Sequence, residues 1–211
     1  MTIQEIVAKR GVQEVLHFTT NLGLVGVLDS GSLKSRKRLE VDQRLSHIFS
    51  PNAAFRKDKN WLDYVNLSVS QVNSRFFDIC KNRWHRHRNI WWCVLSFQPI
   101  ILTHYGVYFT TTNNSYPGVQ QTQGPEGLEA MYAERVEYWP GKYLNRNAKT
   151  SAAFTTNEQA EVLYPSEVSS DFLQRIYVSC EEDLDEVHGQ LGALGHREMP
   201  TTVDPRMFGM S

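Results

Sequence analysis

The chain has 211 residues, with 22 Lys plus Arg against 23 Asp plus Glu for a formal charge of −1, and 41% of it is hydrophobic. This balance suits a globular chain long enough to bury a real core, and it excludes a disordered segment, a collagen-like repeat and a strongly basic nucleic-acid coat. No apolar run approaches the roughly 20 residues of a membrane span, and Met1–Glu5 opens no signal peptide, so a cytoplasmic chain with no membrane contact is expected.

In chain order, Thr2 and Glu5 read as a capping box opening a helix with Ile3, Ile6 and Val7 inward. Val15–Thr19 reads as a short strand. Thr20 then caps a second helix that carries Leu22, Val25 and Leu28 inward and stops at Gly31. Lys34, Arg36, Lys37 and Arg38 follow as a basic cluster. Leu62–Val69 alternates as a strand, with Leu62, Tyr64 and Asn66 on one face and Val65, Leu67 and Val69 on the other. Lys81, Arg83, Arg86 and Arg88 form a second basic cluster, interleaved with Trp84, His85 and His87.

Trp91–Phe97 and Val107–Thr111 are β-branched and aromatic, and read as strands. A polar loop is expected from Thr112 to Gly127. Two more strands follow at Ala160–Tyr164 and Arg175–Ser179, separated by Pro165, and then a helix at Glu181–Leu194 rich in acids. Met199–Ser211 reads as a tail. The pattern is α+β, a single domain with a core at about 14–179 and an acidic helix and tail at 180–211.

Generic motifs of chemistry are few. No glycine-rich dinucleotide turn, Walker loop or Gly-x-Ser-x-Gly elbow is present. Three cysteines, an odd number, read as reduced thiols rather than a disulfide framework. Cys80, His85, His87 and Cys93 could suggest zinc, but their spacing matches no standard closed site and Cys93 sits in an apolar run, so no metal is expected. Lys81–Arg88 admits two readings, a surface that neutralises phosphates and stacks on unpaired bases, or a solvated loop. His17 on the first strand suits a hydrogen-bonded core histidine as well as a site residue. Glu161 opens an apolar strand, where a carboxylate needs a partner, a task or an exposed edge.

Read together, four segments resemble the DarT-type ADP-ribosyltransferases. They are Leu16-His17-Phe18-Thr19-Thr20-Asn21-Leu22, Asp63-Tyr64-Val65-Asn66-Leu67 with Arg56 shortly before it, Gly106-Val107-Tyr108-Phe109-Thr110, and Thr156-Asn157-Glu158-Gln159-Ala160-Glu161-Val162-Leu163 followed by Ile176-Tyr177-Val178. The resemblance implies two small β-sheets around an NAD+ cleft with flanking helices. It implies NAD+ as co-substrate and transfer of ADP-ribose to a base of single-stranded nucleic acid, with nicotinamide released and DNA favoured over RNA. A partner antitoxin is implied in the same way.

By the same resemblance, Glu161 is the catalytic glutamate and Arg56 the catalytic arginine, with Arg44 as the alternative. His17 and Thr19 hold the nicotinamide end of NAD+, with Asn21 beside them and Tyr64 flanking the cleft. The residue types suit the chemistry, because a fixed carboxylate stabilises an oxocarbenium-like ribose and an arginine fork suits phosphates.

The chain departs from the thymidine-modifying pattern, Asp-Tyr-Val-Pro-Phe-Tyr-Phe, in having Asn66-Leu67-Ser68-Val69 after Val65. It also has Thr110-Thr111-Thr112-Asn113-Asn114 where a glycine-histidine turn is expected. Asn113 and Asn114 are therefore expected to read the acceptor base, with Arg83 and Arg86 on the strand's phosphates, and thymine and guanine both stand as acceptors. A transferase for RNA or protein, and a non-enzymatic nucleic-acid-binding module, are the rival readings.

Overall fold

A computed structural model describes residues 1–45, 59–84 and 89–210. Helix α1 (Ile3–Arg10) starts at the capping box: Thr2 Oγ1 accepts from the Glu5 amide at 3.2 Å, and Glu5 Oε2 accepts from the Thr2 amide at 2.8 Å. The chain then enters β1 (Val15–Thr20), and Thr20 caps α2 (Asn21–Ser30) by accepting from the Gly23 amide at 3.2 Å. Gly31 ends α2 in the left-handed region that a glycine adopts without strain. The inward face of α2 differs from expectation. Leu24, Val27 and Leu28 are buried, at i, i+3 and i+4, whereas Leu22, two residues before Leu24 and so on the opposite side of the helix, is 41% exposed.

After β2 (Ser32–Lys34) and α3 (Arg36–Val41), β3 (Tyr64–Val69) shows the expected alternation, with Val65, Leu67 and Val69 buried. Helix α4 (Ser74–Ile79) runs into a π-helical turn at Cys80–Trp84, and the fully buried β4 (Trp92–Phe97) follows. Strand β5 (Tyr108–Thr110) leads into the stretch read as loop, which holds more structure than expected. It contains β6 (Thr122–Gln123) and the start of α5 (Gly124–Ala130), where Pro125 sits in the first turn, a position that needs no amide hydrogen. Gly-Pro there opens a helix instead of breaking one. A hairpin of β7 (Arg135–Trp139) and β8 (Lys142–Asn145) follows.

The last third comprises β9 (Glu161–Pro165), β10 (Glu167–Ser169), β11 (Leu173–Val178), α6 (Glu181–Ala193) and β12 (Thr201–Val203). The expected tail is thus part of the fold: β12 lies parallel to β11, and Phe208 beyond it is buried.

Eight strands form one sheet in the order β12-β11-β4-β1-β3-β9-β5-β6, while β2–β10 and β7–β8 form separate pairs. The two small sheets expected from resemblance are here two four-stranded halves of one sheet. They meet where β1 pairs with β3 at only Val15↔Val69 and Leu16↔Ser68. On one face lies the main core, with Leu95 and Phe97 of β4, Val65 and Leu67 of β3, and Leu24 and Val27 of α2. On the other, Leu16, Phe77, Trp92, Val94, Tyr177 and Phe208 form a second cluster. The candidate zinc string is divided by this sheet. Cys93 packs in the main core and Cys80 in the second, while His85 and His87 lie outside the described residues. Among the described residues, no helix is long and apolar enough to cross a membrane.

Candidate active site

Strand β9 lies between β3 and β5, both antiparallel to it, with Glu161 opposite Thr110 and Leu163 opposite Asn66. Alternation sends Val162 and Tyr164 into the main core and turns Glu161 and Leu163 to the other face, with Tyr64 and Asn66 of β3 and Tyr108 and Thr110 of β5. Glu161 is 6% exposed, so its carboxylate needs donors.

Three N–H donors are described on that carboxylate. Asn66 Nδ2 donates to Oε2 at 3.0 Å, the backbone amide of Asn114 donates to the same oxygen at 2.8 Å, and Asn113 Nδ2 donates to Oε1 at 3.3 Å. Thr110 sets the turn that supplies two of them. Its buried hydroxyl accepts from the Glu161 amide at 3.2 Å and donates to Thr112 O at 2.6 Å. Asn113 Oδ1 accepts from the Ser115 amide at 2.9 Å, and Gln121 Nε2 donates to Asn114 Oδ1 at 2.7 Å, so the loop is tied down from both ends. Asn157 closes the approach to β9 by donating from Nδ2 to Thr111 O at 3.0 Å.

Across the seam stands His17. Beyond Leu16 the two strands no longer pair, and His17 Nδ1 lies 2.9 Å from Asn66 O. A carbonyl only accepts, so Nδ1 carries the proton there. Thr19, opposite Cys93 on β4, packs against α2 at Gly23, where an added Cβ would lie 2.0 Å from Thr19 Oγ1. Asn21, the first residue of α2, donates from Nδ2 to Asn89 O at 3.0 Å and from its backbone amide to Trp91 O, while its Oδ1 is buried with no partner among the described residues.

Tyr64 belongs to an aromatic wall that the sequence reading did not assemble. Trp61 meets Tyr64 at 4.8 Å and Tyr108 at 5.1 Å, ring centre to ring centre. Burial raises the Tyr64 hydroxyl above its ordinary pKa, helped by Tyr108 and Asp63, so it remains a proton donor at neutral pH. Asn66, Thr110, Trp61 and Tyr108 were all missed as site residues. The signal for Asn66 lay in a polar, poorly strand-forming residue at the centre of β3.

The structure brings together Glu161, Asn113 and Asn114, and it sets His17 against Asn66. Arg56 and Arg86 lie outside the described residues. Arg44 is exposed and 3.5 Å from Asp42. Arg83, at the end of the π-helical turn, is exposed to solvent. The first basic cluster is partly neutralised: Lys34 pairs with Glu167 at 2.9 Å, and Arg38 and Lys37 reach Asp63 at 3.1 and 3.7 Å. Those pairings leave Lys34–Arg38 a weaker phosphate-binding face than the sequence suggests.

A buried, donor-lined carboxylate one strand from the seam of a sheet is suited to stabilising positive charge on a sugar. Comparisons with known proteins agree on the fold. Thermosipho africanus DarTG in complex with ADP-ribose matches with a TM-score of 0.61 at 15% identity, covering 93% of this chain but only 51% of that one. Thermus sp. 2.9 DarT in complex with NAD+ matches with a TM-score of 0.63 at 16% identity, covering 93% of this chain and 97% of that chain. The same Thermus protein in complex with ADP-ribosylated ssDNA gives 0.63 at 16%, covering 94% and 97%. No curated protein sequence matches the chain. The family model described as "ssDNA thymidine ADP-ribosyltransferase, DarT" matches residues 16–209. With nearly the whole chain matched, from β1 to just beyond β12, this protein belongs to the DarT family of single-stranded-DNA ADP-ribosyltransferases.

Proposed function

We propose that this chain breaks the bond between nicotinamide and ribose in NAD+ and transfers the ADP-ribose to a ring nitrogen of a base in single-stranded DNA. The observation that carries the reading is Glu161, a buried carboxylate held by N–H donors on β9, one strand in from the seam of the sheet. The glycosidic electron pair leaves with nicotinamide, positive charge develops on the ribose, and Glu161 stabilises it. The base nitrogen then attacks the anomeric carbon, and Glu161 takes the proton that nitrogen loses. His17 and Thr19 hold the nicotinamide end of NAD+, with Asn21 beside them, and Tyr64 closes the cleft with its aromatic neighbours. Arg56 faces the NAD+ phosphates or the developing charge.

Asn113 and Asn114 support the carboxylate and stand where the acceptor base approaches. Arg83 and Arg86 contact phosphates of the strand. A base inside a duplex is out of reach, so the substrate is unpaired. Thymine is the first acceptor to test, on the family description, with guanine its competitor because of the departures at Asn66 and Thr110–Asn114. The chain works in the cytoplasm, in keeping with its unpaired thiols, and a partner antitoxin restrains it.

The test is incubation with labelled NAD+ and four single-stranded DNAs, each lacking one base, beside matched RNAs, read by intact mass spectrometry. One ADP-ribose added to every DNA except the one lacking the acceptor supports the reading and names the base. An adduct on RNA alone replaces DNA as the substrate. No adduct on any strand, from a protein that binds NAD+, overturns transfer to nucleic acid.

A further inference from the structure

Asn66 stands at the centre of the seam and touches both sides of it. Its carbonyl accepts from His17 on β1, and its side-chain amide donates to Glu161 on β9. The second contact is a diagonal one, since Asn66 lies opposite Leu163 and Glu161 is two residues along β9. Diagonal neighbours on one face of an antiparallel pair are within reach of such side chains.

Asparagine is disfavoured in strands, and nothing in the alternation of Val65, Leu67 and Val69 with their neighbours requires an amide between them. The three described donors on Glu161 are also unequal. Asn113 and Asn114 belong to one loop, whereas Asn66 is built into a strand paired with β9 itself. Two donors converging on Oε2 from different elements fix the plane of the carboxylate, and a group on a strand holds geometry more closely than one on a loop.

We propose that Asn66 is a positioning residue for the transfer reaction, fixing the Glu161 carboxylate relative to the strand that carries His17. This rests on the reading of Glu161 as the catalytic carboxylate. Asn66 acts through Glu161, on which its side-chain amide is engaged.

The decisive variant is Asn66→Leu, which keeps the size, suits a strand and removes the donor. Expected is a fall in kcat of about 10- to 100-fold, the scale on which misplacing a reacting group acts. The KM for NAD+ and the calorimetric Kd for NAD+ stay within about twofold of the parent, because positioning alone is lost. Nicotinamide release without DNA falls in parallel, which separates this role from reading the base. Asn66→Gln, with the amide on a longer arm, restores part of the loss. In a Glu161→Gln background, Asn66→Leu costs nothing further, since its effect runs through that side chain. Asn66→Ser, too short to reach the carboxylate, gives the same readout should the leucine variant not fold.

Unchanged kcat in Asn66→Leu, beside an inactive Glu161→Gln, overturns the role of Asn66 and leaves Glu161 intact. A loss confined to KM likewise overturns it. A parent protein that neither releases nicotinamide nor modifies DNA overturns the reading of Glu161 and this proposal together.

Discussion

Single side chains decide the chemistry, and Glu161 is the first to test. Glutamine keeps its shape but removes the charge that, on the proposed reading, faces a cationic ribose, and its carbonyl oxygen can take the place of Oε2, where Asn66 Nδ2 and the Asn114 amide still donate. Turnover in Glu161→Gln is expected to fall by about 10²- to 10³-fold, as when one preorganised electrostatic partner is lost. NAD+ binding, followed by calorimetry, should persist, and loss of both together would point to misfolding instead. Gly23 sets a second constraint. An alanine there brings its Cβ to 2.0 Å from Thr19 Oγ1 and must displace that hydroxyl. Gly23→Ala is expected to weaken NAD+ binding about tenfold while leaving kcat at saturating NAD+ nearly unchanged; an unaltered Kd would remove Thr19 from the NAD+ site. At this scale the sequence was informative about Glu161, because a carboxylate opening an apolar strand is conspicuous. Asn66 stood out only as a polar residue in a strand, and its partner, 95 residues away, is found through the register of β3 on β9.

At the scale of elements, local signals read well where they are chemical and poorly where they depend on neighbours. The Thr2–Glu5 box, the Thr20 cap and the Gly31 stop all appear as read, because each is a backbone hydrogen-bonding requirement written in adjacent residues. The segment Thr112–Gly127 was misread because proline breaks a helix interior but favours its first turn, and the sequence alone does not say which applies to Pro125. The C-terminal segment was misread for another reason. Thr201–Val203 is too short to announce a strand, and β11 offers it an edge only once the sheet exists. That edge matters to stability. Phe208 meets Phe77 at 5.9 Å between ring centres and is buried with Trp92. Phe208→Ala should cost about 3–5 kcal/mol, measured as a lower urea midpoint. A midpoint within error of the parent would return residues 201–210 to the status of a tail.

For the whole molecule, burial also sets how the fold responds to alkali. Burial pushes the Cys80 thiol up to about 12 from an ordinary 9.0, and Cys93 is raised by burial and by Asp183 nearby. A group whose pKa is raised by folding stabilises the fold fully below its unfolded value, and that contribution is lost as the pH rises through the folded one. The urea midpoint should therefore fall from pH 9 towards pH 12, as unfolded thiols ionise before folded ones. Cys80→Ser, which does not titrate in that range, should show a shallower alkaline limb; identical limbs would exclude Cys80 as a cause.

The seam between the halves of the sheet has a mechanical consequence. His17 rides on one half and Glu161 on the other, and among the described residues the strand pairing between the halves is Val15↔Val69 and Leu16↔Ser68. The arrangement is that of a pair of tongs with its pivot close to the jaws. A small angle at such a pivot changes the gap between the tips very little, which gives a steady grip.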